Sequence, residues 1–148
     1  TDLGGRFAMV ASRFNEPVVD ELIAGAREGF EANGVAGADV EVWRVPGAFE
    51  LPLIVDRLAR SRSYLAVLAL GAVIRGETPH FEYIAQACSG GLQRVALAHD
   101  VPVTFGVLTT EDGEQAWARA ARDQGNKGRE AALAALEMAL VSRQLDHG

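Results

Sequence analysis

The side chains best able to do chemistry crowd into one stretch, residues 75–83, RGETPHFEY, which holds an arginine, two glutamates, a threonine, a proline and a histidine. His80 can take or give a proton near neutral pH. Thr78 and Pro79 suit the N-cap and first position of a helix, and they would leave backbone N–H groups and a positive dipole end near Gly76, Glu77 and Thr78, a fit for phosphate. The same residues read equally well as an ordinary capped helix start. His99 and His147 stand at no metal-ligand spacing to His80, so a zinc site is not expected. Neither GxxxxGK[ST] nor a GxGxxG opening a helix occurs, which argues against the widespread nucleotide-binding folds.

Strands and helices must position this loop, and their pattern is regular. RFAMVAS (residues 6–12) reads as a strand. Pro17 then opens a helix with Val19, Ile23, Ala26 and Phe30 on one stripe, closed by Asn33 and Gly34. DVEVWRV (39–45) is a second strand, followed by a helix carrying Leu51, Ile54, Val55 and Leu58. Residues 64–74, YLAVLALGAVI, are apolar on both faces, as a central parallel strand covered on both sides must be, and Phe81, Ile84, Cys88, Leu92 and Val95 mark the helix after them. VPVTFGVLTT (101–110) gives a fourth strand, and helices are expected from about Asp112 and over about residues 129–143. Four strand–helix units predict an α/β protein with a mainly parallel four-stranded sheet and helices on both faces. The loops RFNEP, PGAFE, RGETPH and TTEDG would then meet at the carboxyl edge, where ligands of such sheets bind.

Composition bounds the setting. The 148 residues fit one domain, residues 1–148, at 49% hydrophobic and 23% charged. A formal net charge of -6 and a pI near 5.0 argue against a nucleic-acid surface and leave small molecules or proteins as partners. Cys88 is the only cysteine, which excludes an internal disulfide or a CxxC pair and suits a reducing compartment. The longest apolar run falls short of the roughly 18 residues a membrane span needs, and no leader pattern opens the chain, so a cytoplasmic location is expected.

VPGAFELP, then LGAVIRGETPHFEY, then FGVLTTE and GNKG together resemble the 6,7-dimethyl-8-ribityllumazine synthases, over about residues 10–138. The resemblance implies a flavodoxin-like three-layer α/β/α sandwich. It also implies condensation of 5-amino-6-(ribitylamino)uracil with 3,4-dihydroxy-2-butanone 4-phosphate to the lumazine, phosphate and water, with no metal or cofactor. Competing functions are a phosphosugar isomerase or lyase with His80 as base, and an inactive flavin- or lumazine-binding or shell-forming homologue.

Roles follow from the matching motifs. The resemblance makes Phe14 the aromatic that stacks on the pyrimidine, although by position it is also a hydrophobic staple onto the next helix. Ala48, Phe49 and Glu50 match the positions that hold the ribityl chain, while Glu50 alone reads as a solvated first-turn acid. Val73 and Ile74 would border the uracil, Gly76, Glu77 and Thr78 would cradle phosphate, and His80 would shuttle protons. Arg119, by spacing a surface charge, matches the phosphate-binding arginine. In the family that arginine comes from a neighbouring subunit, as do the residues matching Phe105 and Lys127, so a homo-oligomer is implied: a pentamer, with a 60-subunit icosahedral shell suggested by the compact ARDQGNKG link (121–128). Ala72 stands where many relatives carry a hydroxyl.

Overall fold

The computed structural model describes residues 4–123 and 125–147. Four strands, β1 (Phe7–Ser12), β2 (Val40–Val45), β3 (Ala66–Ile74) and β4 (Val103–Thr110), form one wholly parallel sheet in the order β2-β1-β3-β4. Five helices follow or join them: α1 (Glu16–Ala32), α2 (Leu51–Ser61), α3 (Phe81–His99), α4 (Gly113–Ala120) and α5 (Lys127–His147). This is the flavodoxin-like arrangement of layers and strand order.

The order explains the layers. The chain steps outward from β1 to β2, then back across β1 to β3 and on to β4, and crossovers of one hand must therefore place α1 on one face and α2 and α3 on the other. The packing agrees. Phe7, Met9 and Ala11 of β1 face α1, α4 and α5 in one core cluster, while Ala8 and Val10 face α2 and α3 in a second. Strand β3 is buried at all nine positions, because it is central and covered on both sides. Each large apolar side chain hidden this way contributes about 1.5–3 kcal/mol. In the first cluster the rings of Phe7 and Phe30 lie 4.7 Å apart.

Most element boundaries shift by a residue or two from the sequence expectation, and α5 runs to His147, four residues past the expected end at 143. Strand β3 starts at Ala66 and not at Tyr64, whose hydroxyl donates to Glu41 Oε1 at 2.8 Å across the amino edge of the sheet. Pro102 cannot donate to a ladder, and β4 begins after it. Helix α5 starts at Lys127, earlier than residue 129. Three short 3₁₀ turns, at Gly37–Asp39, Ala48–Glu50 and Arg75–Glu77, are new. Two of them lie on the carboxyl edge. Among the described residues no helix is long and apolar enough to cross a membrane, and no group of three or more His, Cys, Asp or Glu residues is placed to hold a metal ion.

Candidate active site

Strands β1 and β3 are neighbours whose crossovers leave in opposite directions, so a crevice opens beyond their carboxyl ends. A cavity of about 410 Å³ occupies that place. Phe14, Pro46–Glu50, Ala72–Ile74, Glu77, Thr78 and Ile84 line it. All six residues expected to hold the pyrimidine and ribityl parts of a substrate are thus brought together by this one chain, Phe14, Ala48, Phe49, Glu50, Val73 and Ile74, with Glu77 and Thr78 beside them.

One rim is set by main chain. The β1–β2 ladder continues past both strands, with Arg13 N donating to Val45 O at 2.8 Å and Phe14 N to Pro46 O at 3.0 Å. Asn15 then turns the chain in the left-handed region, φ 63°, ψ 46°, a conformation that asparagine accepts better than most L-residues. Its Nδ2 donates to Ala72 O on β3 at 3.3 Å, tying the Phe14 turn to the cavity floor. Arg44 braces the same corner, donating to Ser12 O at 3.2 Å and to Asp20 at 3.3 Å. Phe14 is left 55% exposed and Phe49 61%, so neither ring is spent on the core. That disfavours a staple role for Phe14.

Glu50 is more than a solvated acid. Its Oε1 accepts from Gly47 N at 2.9 Å while Glu50 N donates to Gly47 O at 3.1 Å, a reciprocal bracket around the 3₁₀ turn. The carboxylate is therefore held at the cavity wall, with Oε2 unpartnered among the described residues and open to a ligand hydroxyl.

The opposite rim, Arg75–His80, differs from the expected capped helix. Thr78 is extended and its Oγ1 accepts from His80 N at 3.1 Å, as an N-cap would, but Pro79 and His80 form only a turn. His80, at φ −101° and ψ 17°, departs from helical geometry, so it is His80 and not Thr78 that precedes α3; the first α-helical bond runs from Ile84 N to His80 O at 2.9 Å. Gly76 and His80 belong to this exposed loop next to the cavity without lining it. The His80 ring makes no hydrogen bond or ion pair among the described residues, which leaves both nitrogens available.

Phe105, Arg119 and Lys127 lie elsewhere. Phe105 pairs with Ala69 in the β3–β4 register, five residues short of Thr110, which is about 16 Å from the carboxyl edge at ~3.3 Å per residue. Arg119 is exposed on α4, and Lys127 begins α5, both in the layer opposite α2 and α3. The corner of α4 and α5 that carries Arg119 and Lys127 is tied together by Asn126. Asn126, 1% exposed, donates through Nδ2 to Glu21 O at 2.7 Å and to Ala120 O, and accepts at Oδ1 from Arg129 N at 2.8 Å. Gly25 makes room for it: a Cβ there would stand 2.1 Å from Asn126 Oδ1. Gln124, in the same link, lies outside the described residues.

Sequence reasoning missed Asn15, Arg44 and Arg75 as organisers of the rims. The signal for Asn15 was an asparagine just before a helix-opening Glu-Pro; Arg44 acts on residues 24 and 32 positions away, and Arg75 reaches Glu111 36 positions on, so neither partner set shows in local pattern. Cys88 offers no nucleophile, since burial pushes its thiol up to about 11 and leaves no thiolate at neutral pH.

Comparison with known proteins adds to this geometry. A family model described as 6,7-dimethyl-8-ribityllumazine synthase matches residues 4–143. Two proteins named 6,7-dimethyl-8-ribityllumazine synthase, from Stenotrophomonas maltophilia strains R551-3 and K279a, are each 52% identical over 145 residues, 98% of this chain and 94% of theirs.

Proposed function

This chain belongs to the 6,7-dimethyl-8-ribityllumazine synthase family, and from that premise we propose that it condenses 5-amino-6-(ribitylamino)uracil with 3,4-dihydroxy-2-butanone 4-phosphate, a step of riboflavin biosynthesis. The observation that carries the reading is the cavity beyond β1 and β3, where two exposed phenylalanines, a backbone-held glutamate and the phosphate-type loop meet. Phe14 stacks on the uracil, Val73 and Ile74 border it, and Ala48, Phe49 and Glu50 hold the ribityl hydroxyls. Gly76, Glu77 and Thr78 take the phosphate end.

The amine attacks the ketone carbon and one water leaves as the imine forms. Loss of the proton from the neighbouring hydroxyl-bearing carbon expels phosphate with its bonding electrons. After tautomerisation to a carbonyl, the ribitylamino nitrogen attacks that carbon and closes the ring with loss of a second water. Such a sequence needs two reactants held together more than it needs strong catalysts; positioning can supply about 7–11 kcal/mol. His80 carries the protons.

Arg119, Phe105 and Lys127 act on a neighbouring subunit's cavity. Their separation from this chain's own cavity supports the shared site. Head-to-tail contacts of that kind close into rings, here a homopentamer, with further assembly into an icosahedral shell. One domain carries the whole of the chain's share. The lone, buried Cys88 suits work in the cytoplasm.

The test mixes both substrates with purified protein and follows lumazine absorbance and fluorescence, with and without chelator. Product formation well above the spontaneous rate, lost when either substrate is omitted, is expected; the spontaneous rate alone overturns the proposal. Light scattering and electron microscopy test the assembly: hollow particles are expected, free pentamers refute the shell, and an active monomer refutes the shared site.

A further inference from the structure

The phosphate-type loop is bordered by acid. Glu77 lies on it, Glu82 on the first turn of α3, and Glu111 and Asp112 on the turn after β4, whose Glu111 carbonyl is the nearest atom, at 3.8 Å, to where a Gly76 side chain would begin. A phosphate dianion entering there meets like charge. Between Ile74 and Phe81 only one lysine or arginine is present, Arg75, and its contacts are specific. Arg75 Nε pairs with Glu111 Oε2 at 3.0 Å, Nη1 pairs with Glu82 Oε1 at 3.3 Å, and its Cζ sits 4.6 Å over the Phe81 ring. One guanidinium thus ties three segments together: its own loop, the β4–α4 turn and the start of α3.

Resting on the reaction proposed above, we propose that Arg75 is a positioning residue for the phosphate half of the site. It acts in two ways. It holds the Gly76–Thr78 turn against its neighbours, and it cancels the Glu82 and Glu111 carboxylates that would otherwise repel the dianion. Stacking on Phe81 fixes the planar fork so that both carboxylates are met at once, which a lysine ammonium cannot do. Because the Phe14 rim is held by other bonds, Arg75 should leave pyrimidine binding alone.

The experiment uses the assembled protein with Arg75→Gln, Arg75→Lys, and Arg75→Gln combined with Glu82→Gln and Glu111→Gln. Two readouts are taken: KM for each substrate, and the affinity for inorganic phosphate by titration without turnover. Two freed carboxylates near a dianion are of the size to weaken binding about tenfold. Arg75→Gln should therefore raise the butanone phosphate KM and the phosphate Kd by about that factor, with the pyrimidine KM changed less than about twofold. Arg75→Lys should recover part of the loss, and the triple variant most of it. Equal rises in both KM values, no change in either, or a triple variant as weak as Arg75→Gln would overturn the inference. A wild type that binds phosphate but forms no lumazine sinks the proposed reaction while the phosphate titration still decides Arg75; a wild type that binds no phosphate overturns both.

Discussion

On the Phe14 side of the cavity backbone bonds position the chain, with side-chain braces from Asn15, Arg44 and Glu50, whereas the Arg75–His80 side rests on side chains. The first rim extends a β-ladder to Phe14 N and closes a bracket between Gly47 and Glu50. The second rests on the Arg75 ion pairs and on Thr78 Oγ1, in a loop exposed at Arg75, Gly76, Glu77, Pro79 and His80. The difference fits the two ligands. A flat ring needs a fixed face to stack on, and main-chain bonds cost little side-chain entropy to hold one. A phosphate needs local charge balance and a proton carrier, and those come from charged and polar side chains on an exposed loop. It also makes the second rim the one that salt, pH and mutation should disturb.

Four measurements would break or sharpen the contrast. Arg119→Ala should have the largest effect, since a charge-assisted hydrogen bond to the substrate phosphate is lost; about 1.5–3 kcal/mol is expected, nearly all in the butanone phosphate KM. Equal loss for the pyrimidine would erase the division between rims. For His80→Ala, kcat should fall by about 10- to 100-fold with both KM values nearly kept, because proton transfer is a transition-state contribution. A kcat unchanged across the pH range would remove His80 from the mechanism.

Phe14→Ala tests the other rim. It should weaken the pyrimidine by an aromatic contact of about 0.5–1.5 kcal/mol together with the lost ring area, and leave phosphate titration untouched because the backbone bonds of residues 13 and 14 need no side chain. A changed phosphate affinity would show the rims to be coupled. The smallest effect should be that of salt. Raising it from about 0.1 M to about 1 M cuts the screening length from about 10 Å to about 3 Å, so the butanone phosphate KM should rise while the pyrimidine KM stays flat. Steady-state kinetics at two salt levels checks this, and parallel rises would contradict it.

Much of the site was legible because its residues fall in short loops after strands, where order along the chain already fixes the edge they occupy. Phe14, Ala48–Glu50, Glu77 and Thr78 needed only the alternation of strands and helices to be placed on one edge, while Val73 and Ile74, at the end of β3, were marked by the resemblance. Glu50 was half legible: its place at a turn start could be read, but its bond to Gly47 N depends on a 3₁₀ turn that no periodicity signals. Thr78 kept its capping oxygen but lost the long helix, since a single ψ of 17° at His80 delays α3 to Phe81.

The sequence alone determined the parallel sheet and its ligand edge, because a strand apolar on both faces must be covered on both sides and helices between parallel strands deliver that cover. It also carried the family resemblance that marked Arg119, Phe105 and Lys127 as residues acting together. Only the tertiary structure decided that β1 and β3 are neighbours, and so where along that edge the cavity opens. It agrees with the resemblance in keeping Phe105, Arg119 and Lys127 away from this chain's own cavity, and it alone joined Arg75 to Glu111 and Asn15 to Ala72. The physical reason is one of range. Periodicity reports which face of an element is covered by neighbours within a few residues, whereas strand order and side-chain bridges across 36 or 57 positions are settled by packing between segments that the chain itself keeps far apart.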